Sequence, residues 1–160
     1  MIDKIKADNN DYIESAKEVI NIELSSIKNL LKNLDQSFEK ACEILLNTKG
    51  RVVVIGMGKS GHIGKKISAT LASTGSPSFF MHPGEANHGD FGMATGKDTI
   101  IALSNSGNTK EVLSLLPLIK RSNIKLIGIT GNPNSELAKE SDVHLYTPIE
   151  KEACPLNLAP

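Results

Sequence analysis

The run Val52-Val53-Val54-Ile55-Gly56-Met57-Gly58-Lys59-Ser60-Gly61-His62 leaves this chain few folds to choose from. A short, uninterrupted β-branched stretch suits a parallel strand buried on both faces, and Ile63, Ile67 and Leu71 then recur at helical spacing. Strand, glycine turn and helix start form an anion site: the glycines let backbone approach a ligand, and the first amides and dipole end of the helix favour negative charge. Lys59 adds a cation there. Taken alone, the motif fits a bare strand-to-helix turn as well as it fits any single ligand.

Two nucleotide readings fail on context. A dinucleotide site needs an acidic residue about 20 positions on, after the second strand. Here Ser78-Phe79-Phe80-Met81 runs into His82-Pro83. In a Walker loop, the glycine required ahead of the G-K pair would fall at Val53.

After Gly50 the chain alternates. Strands are expected at Arg51 to Ile55, Ser78 to Met81, Thr99 to Leu103, Lys125 to Ile129 and Val143 to Tyr146. Helices are expected through Thr74, from Thr109 to Arg121 and around Ser135 to Ser141, with a long loop after Met81 and Pro117 kinking or dividing its helix. The pattern predicts an α/β domain, a doubly wound five-stranded parallel sheet in flavodoxin-like order 2-1-3-4-5. Two helices precede it. The first, from about Tyr12 to Leu34, carries a one-sided apolar stripe that covers a sheet face or packs on a second copy, the oligomer contact being preferred. The second, capped by Asp35, is expected to bury Phe38, Ala41, Cys42, Leu45 and Leu46 and to stop at Gly50. Residues 1–50 are read as part of the same domain as 51–160.

Eighteen basic residues against eighteen acidic ones argue against nucleic acid or an anionic membrane as a bulk partner. The polar start, Met1 to Asn10, lacks the apolar core of a signal peptide, and no apolar run reaches membrane-spanning length. A cytoplasmic protein is expected. Cys42 and Cys154 suggest neither a disulfide framework nor a zinc site and are read as buried thiols.

Ser104-Asn105-Ser106-Gly107-Asn108-Thr109 forms a second donor-rich turn at the end of the third strand. By itself it is better read as an N-cap cluster. In the order 2-1-3-4-5, however, the first and third strands are neighbours at the switch point, so both turns flank one crevice. Gly58 and Ser60 of the first turn, and Ser104, Asn105, Ser106, Gly107 and Thr109 of the second, are the candidate phosphate contacts.

Together with His82-Pro83-Gly84-Glu85-Ala86-Asn87-His88-Gly89-Asp90 and the terminal Lys151-Glu152-Ala153-Cys154-Pro155-Leu156-Asn157-Leu158-Ala159-Pro160, these motifs resemble the sugar isomerase (SIS) domain family and, within it, the D-arabinose 5-phosphate isomerases. The resemblance covers nearly all the chain from Arg51 onward and is weaker over the leading helices. It implies interconversion of ribulose 5-phosphate and arabinose 5-phosphate, feeding the eight-carbon sugar acid Kdo of lipopolysaccharide. A homotetramer with sites at subunit contacts is also implied. Lys59, His88, Glu111 and Glu152 are placed in or beside the active site, and Ser104, Ser106 and Thr109 around the phosphate. In the family the chain continues past the Ala159-Pro160 position with a helix, a further histidine and usually two regulatory CBS modules, so the domain is read as cut short at that end.

An aldose-ketose interconversion needs a base that takes and returns one proton, and a cation or donor facing the developing oxyanion. Glu152, in the loop after the last strand, is the candidate base, with Glu111 the alternative if it does more than stabilise a helix dipole. Lys59 faces phosphate or oxyanion, and His88 assists ring opening or moves a hydroxyl proton. Glu85 and Asp90 are expected only to order the loop; His62, His82 and His144 are read as structural or as supporting the site from behind its contact residues. No cofactor and no metal is expected, since the His82, Glu85, His88 and Asp90 spacing matches no metal motif. The alternatives are a non-catalytic sugar-phosphate sensor, which would usually carry a basic DNA-binding helical segment absent here, and another phosphosugar isomerase of the same fold.

Overall fold

The computed structural model describes residues 12–154; the polar start and the closing Pro155 to Pro160 discussed above lie outside the described residues. The chain divides into two compact units: Asn33–Pro148 form one, and, of the described residues, 12–32 and 149–154 belong to the other.

The smaller unit holds helix α1 (Tyr12–Lys32), which ends two residues short of the expected Leu34. Asn29 donates from Nδ2 to Glu150 Oε1 at 2.9 Å, and Lys151 pairs with Glu18 at 3.1 Å, tying the returning segment to the helix. No residue of α1 is buried, and Ile13, Ile20, Leu24, Ile27 and Leu31 of its apolar stripe are all exposed.

In the larger unit, α2 (Gln36–Leu46) precedes β1 (Val52–Gly56), α3 (Gly58–Ser73) and β2 (Ser78–Met81). Then come α4 (Pro83–Asn87), a 3-10 turn (Asp90–Met93), β3 (Thr99–Leu103), α5 (Lys110–Leu113), α6 (Leu116–Arg121), β4 (Lys125–Thr130), α7 (Glu136–Glu140) and β5 (Val143–Tyr146). The strands pair in parallel in the order β2-β1-β3-β4-β5, as the alternation predicts. Each strand's side chains alternate between faces, so one sheet feeds two cores. Val53, Ile55, Ile100, Ala102 and Leu126 pack with Val112, Leu115 and Ile119 of α5, α6 and their junction. Val52, Val54, Ile101 and Ile127 pack with Ala41 of α2 and Ile67 and Leu71 of α3. Crossovers of one hand explain the division: the chain winds one way from β1 to β2 and the other way from β3 to β5, which leaves the switch point between β1 and β3.

Four expectations are corrected. Helix α2 stops at Leu46, capped by Asn47, and Gly50 is not its left-handed terminus. Gly50 is small for another reason: a Cβ there would lie 2.2 Å from Asp98 Oδ1 and 2.9 Å from Lys97 O. Phe38 and Leu46 are exposed, at 48% and 85%, because α2 turns only its Ala41 side fully to the sheet. Cys42 and Cys154 are thiols but only half-buried. The long loop after Met81 is largely helical, since His82 accepts the Gly84 amide at Nδ1 and Pro83 suits a first helical position. Pro117 divides its helix as expected, into α5 and α6. Among the described residues no helix is long and apolar enough to cross a membrane.

Candidate active site

Parallel pairing sets the level at which each loop leaves the sheet. Ile55 lies opposite Met81, Gly56 opposite Leu103, and Leu103 opposite Ile129. The turn bearing Lys59, the loop bearing His88, the turn bearing Ser106 and the loop after Thr130 therefore all start at the carboxyl end of four consecutive strands. The two glycine turns belong to the neighbouring strands β1 and β3.

The first turn is built by close approach and by one left-handed residue. A Cβ on Gly61 would meet Gly56 O at 2.8 Å, so the strand end and the helix start touch through backbone. Gly58, at φ 56°, is the residue that needs glycine for its conformation. Met57 gives α3 no side-chain cap hydrogen bond. Gly58 and Lys59 are exposed and Ser60 half-buried.

The second turn is braced from within. Ser104 is buried; its Oγ accepts the Gly107 amide at 3.1 Å and lies 2.8 Å from Thr109 Oγ1. When Ser104 donates in that pair, the Thr109 proton remains available to a ligand. Ser106 Oγ accepts the Asn108 amide at 3.2 Å and keeps its own proton to donate. Asn105 and Ser106 are exposed, Thr109 is the N-cap of α5, and Gly107 is buried at φ 67°. Ser104 and Gly107 thus shape the turn, while Asn105, Ser106 and Thr109 present donors on it.

His88 caps α4 and is exposed; Glu111 lies half-buried in the first turn of α5. The structure brings their helices together through a residue the sequence reading did not single out as functional. Asn87 donates from Nδ2 to Pro83 O at 2.9 Å, Glu111 O at 3.3 Å and Ser114 Oγ at 2.8 Å. Nothing in the local sequence marks that role, because its partners on α5 lie 24 and 27 residues away. Glu85 and Asp90 are exposed in the same stretch. Glu152 belongs to the smaller unit and is half-buried there.

Of the remaining histidines, His62 is exposed on α3 and His82 caps α4. His144 lies on β5, where burial holds its pKa below the ordinary imidazole value against its contact with Thr130, which raises it. Among the described residues no group of three or more His, Cys, Asp or Glu side chains is disposed to hold a metal ion.

Comparison with known proteins adds a family to this geometry. The SIS domain model matches residues 44–160. Arabinose 5-phosphate isomerase KdsD of Pseudomonas aeruginosa is 60% identical over 95% of this chain and 47% of its own length. The protein of that name from Escherichia coli K12 is 54% identical over 94% and 46%. The chain spans about half the length of these curated relatives. A solved E. coli CFT073 protein, in complex with arabinose 5-phosphate, superposes with a TM-score of 0.89 at 41% identity, covering 96% of this chain and 82% of that one. The switch point between β1 and β3, the two turns beside it and a family match over most of the sequence agree, and this chain belongs to the SIS domain family.

Proposed function

We propose that this chain is the catalytic domain of an arabinose 5-phosphate isomerase, which interconverts ribulose 5-phosphate and arabinose 5-phosphate through an enediol. The reading is carried by the pairing of Gly56 with Leu103, which starts two donor-rich turns from neighbouring strands. Relatives at 60% and 54% identity that bear this enzyme's name support it.

The phosphate is received by Ser106 and Thr109, with Asn105 beside them and Ser104 and Gly107 holding the turn; Gly58 and Ser60 complete the cradle from β1. Hydrogen bonds to a charged group contribute roughly 1.5–3 kcal/mol each, so a few such donors anchor the substrate by one end. Isomerisation then moves a proton between adjacent carbons. Glu152 takes it from one and returns it to the other, and the Lys59 ammonium faces the oxygen on which negative charge grows. His88 moves the hydroxyl proton that accompanies the shift or assists ring opening, and Glu111 supports it from α5. No cofactor is required, since the proton is returned and no net oxidation occurs.

The enzyme acts in the cytoplasm and supplies Kdo for lipopolysaccharide. It works as a homotetramer with sites at subunit contacts, a role suited to the exposed stripe of α1, where Ile20, Ile27 and Leu31 are 54%, 59% and 65% exposed.

The test is incubation of the full-length protein with ribulose 5-phosphate in deuterated water. Deuterium incorporation with formation of the aldose is expected. Substrate binding without exchange would overturn the enzymatic reading. Glu152→Gln should lower kcat by about 100- to 10,000-fold with KM largely kept; a variant retaining most of its turnover would move the base elsewhere.

A further inference from the structure

We propose that Thr130 is a positioning residue for the phosphate-binding turn, setting the shape of residues 104–109 through its hydroxyl. The inference rests on the isomerase reading above and adds to it a residue that the two glycine motifs do not contain.

Thr130 closes β4, is fully buried, and lies beneath Gly107: a Cβ built on that glycine would be 3.2 Å from Thr130 Cγ2 and 2.0 Å from Ser135 Oγ. Its hydroxyl has three partners. Oγ1 accepts the Asn132 amide at 3.0 Å, donates to Asn132 O at 2.9 Å, and lies 2.9 Å from His144 Nε2. One hydroxyl has a single proton, directed either to Asn132 O or to His144 Nε2. With that proton on Asn132 O, His144 donates from Nε2 and every bonding capacity of the hydroxyl is used; the ring's role follows its tautomer.

The loop so held grips the phosphate turn. Gly131 donates to Asn105 O at 2.9 Å, Leu137 to Gly107 O at 3.1 Å, and the Glu136 amide to Asn108 Oδ1 at 3.1 Å. Ser135 Oγ reinforces Asn132 by donating to its carbonyl at 2.7 Å. Residues of the 131–137 stretch thus bond to three of the six residues in the turn, and Thr130 and His144 anchor that stretch to β4 and β5. Loss of the hydroxyl removes the acceptor of the Asn132 amide and the side-chain partner of His144 Nε2. Loss of the methyl leaves the hydrogen bonds intact.

Thr130→Val and Thr130→Ser in the full-length protein separate these effects. Thr130→Val is expected to raise KM for ribulose 5-phosphate about tenfold, to weaken competitive inhibition by inorganic phosphate in parallel, and to leave kcat within about twofold. Thr130→Ser should restore both constants. A purely structural role would lower the folded fraction, and with it the apparent kcat, without moving KM. An unchanged KM and phosphate inhibition constant in Thr130→Val, or equal rises in both variants, would overturn the proposal. Should Thr130→Val fail to fold, His144→Phe supplies the reading: a KM rise of about threefold supports the proposal and an unchanged KM overturns it. If inorganic phosphate does not compete in the wild type and Ser106→Ala leaves KM unmoved, the turn does not hold phosphate, and the site reading falls with this proposal. If the wild type is inhibited and Ser106→Ala loosens it while Thr130→Val does not, only the present inference fails.

Discussion

At the scale of single residues, buried Asp98 illustrates how a charge outside the candidate site organises the fold. Burial alone would raise its carboxyl pKa, but the Arg51 and Thr95 amides, the Thr95 hydroxyl and the Arg51 guanidinium outweigh that and hold it below its ordinary value of 3.8. A carboxylate whose pKa is lowered on folding adds stability that is complete above the unfolded value and is lost as pH falls through the folded one. The folded chain should therefore lose stability on acidification below about pH 4. Asp98→Asn should cost about 2 kcal/mol near neutral pH and flatten that acid limb, as read by urea denaturation across pH. An unchanged acid limb would remove Asp98 from this role. The same carboxylate explains why Gly50 was legible as a glycine that matters but not for the right reason. Helix ends and close contacts both call for glycine, and only the structure brings Asp98, 48 positions on, against it.

Among the elements, the strand-and-helix alternation was legible because each period has a distinct cause: continuous apolar runs for strands buried on both faces, apolar residues at helical spacing for the helices over them. Pro117 was legible for the same local reason. The stretch after Met81 was not, because a five-residue helix is too short to display a period, and its docking depends on distant partners. Asn87 carries that docking, so Asn87→Ala should release α4 from α5 and misplace His88 relative to Glu111. A fall in kcat of about ten- to a hundredfold is expected, with the melting temperature lowered by only about a few degrees. Steady-state kinetics together with thermal melts check this, and an unaltered kcat would show that the bridge has no part in turnover. The first turn was legible from its glycines, whereas its partner became a candidate only through the strand order. The loop after β4 was missed because its contribution lies in amides and carbonyls, which any sequence supplies.

For the whole molecule, the strand order is what converts scattered motifs into one candidate site. Balanced charge argues against a bulk electrostatic role, so recognition of an anion would rest on local donors, and the candidate donors gather where winding reverses between β1 and β3. That order is legible in the alternation of strands and helices because parallel topology has few right-handed solutions. The apolar stripe of α1 was equally legible as a pattern, yet its partner could not be read from the pattern, since apolar residues at helical spacing serve a sheet face and a second subunit alike. The most direct measurement is a crystal structure of the full-length protein with arabinose 5-phosphate bound. Phosphate oxygens about 3 Å from the Ser106 and Thr109 hydroxyls are the expected result. A phosphate bound away from the turns that follow β1 and β3 would contradict the account.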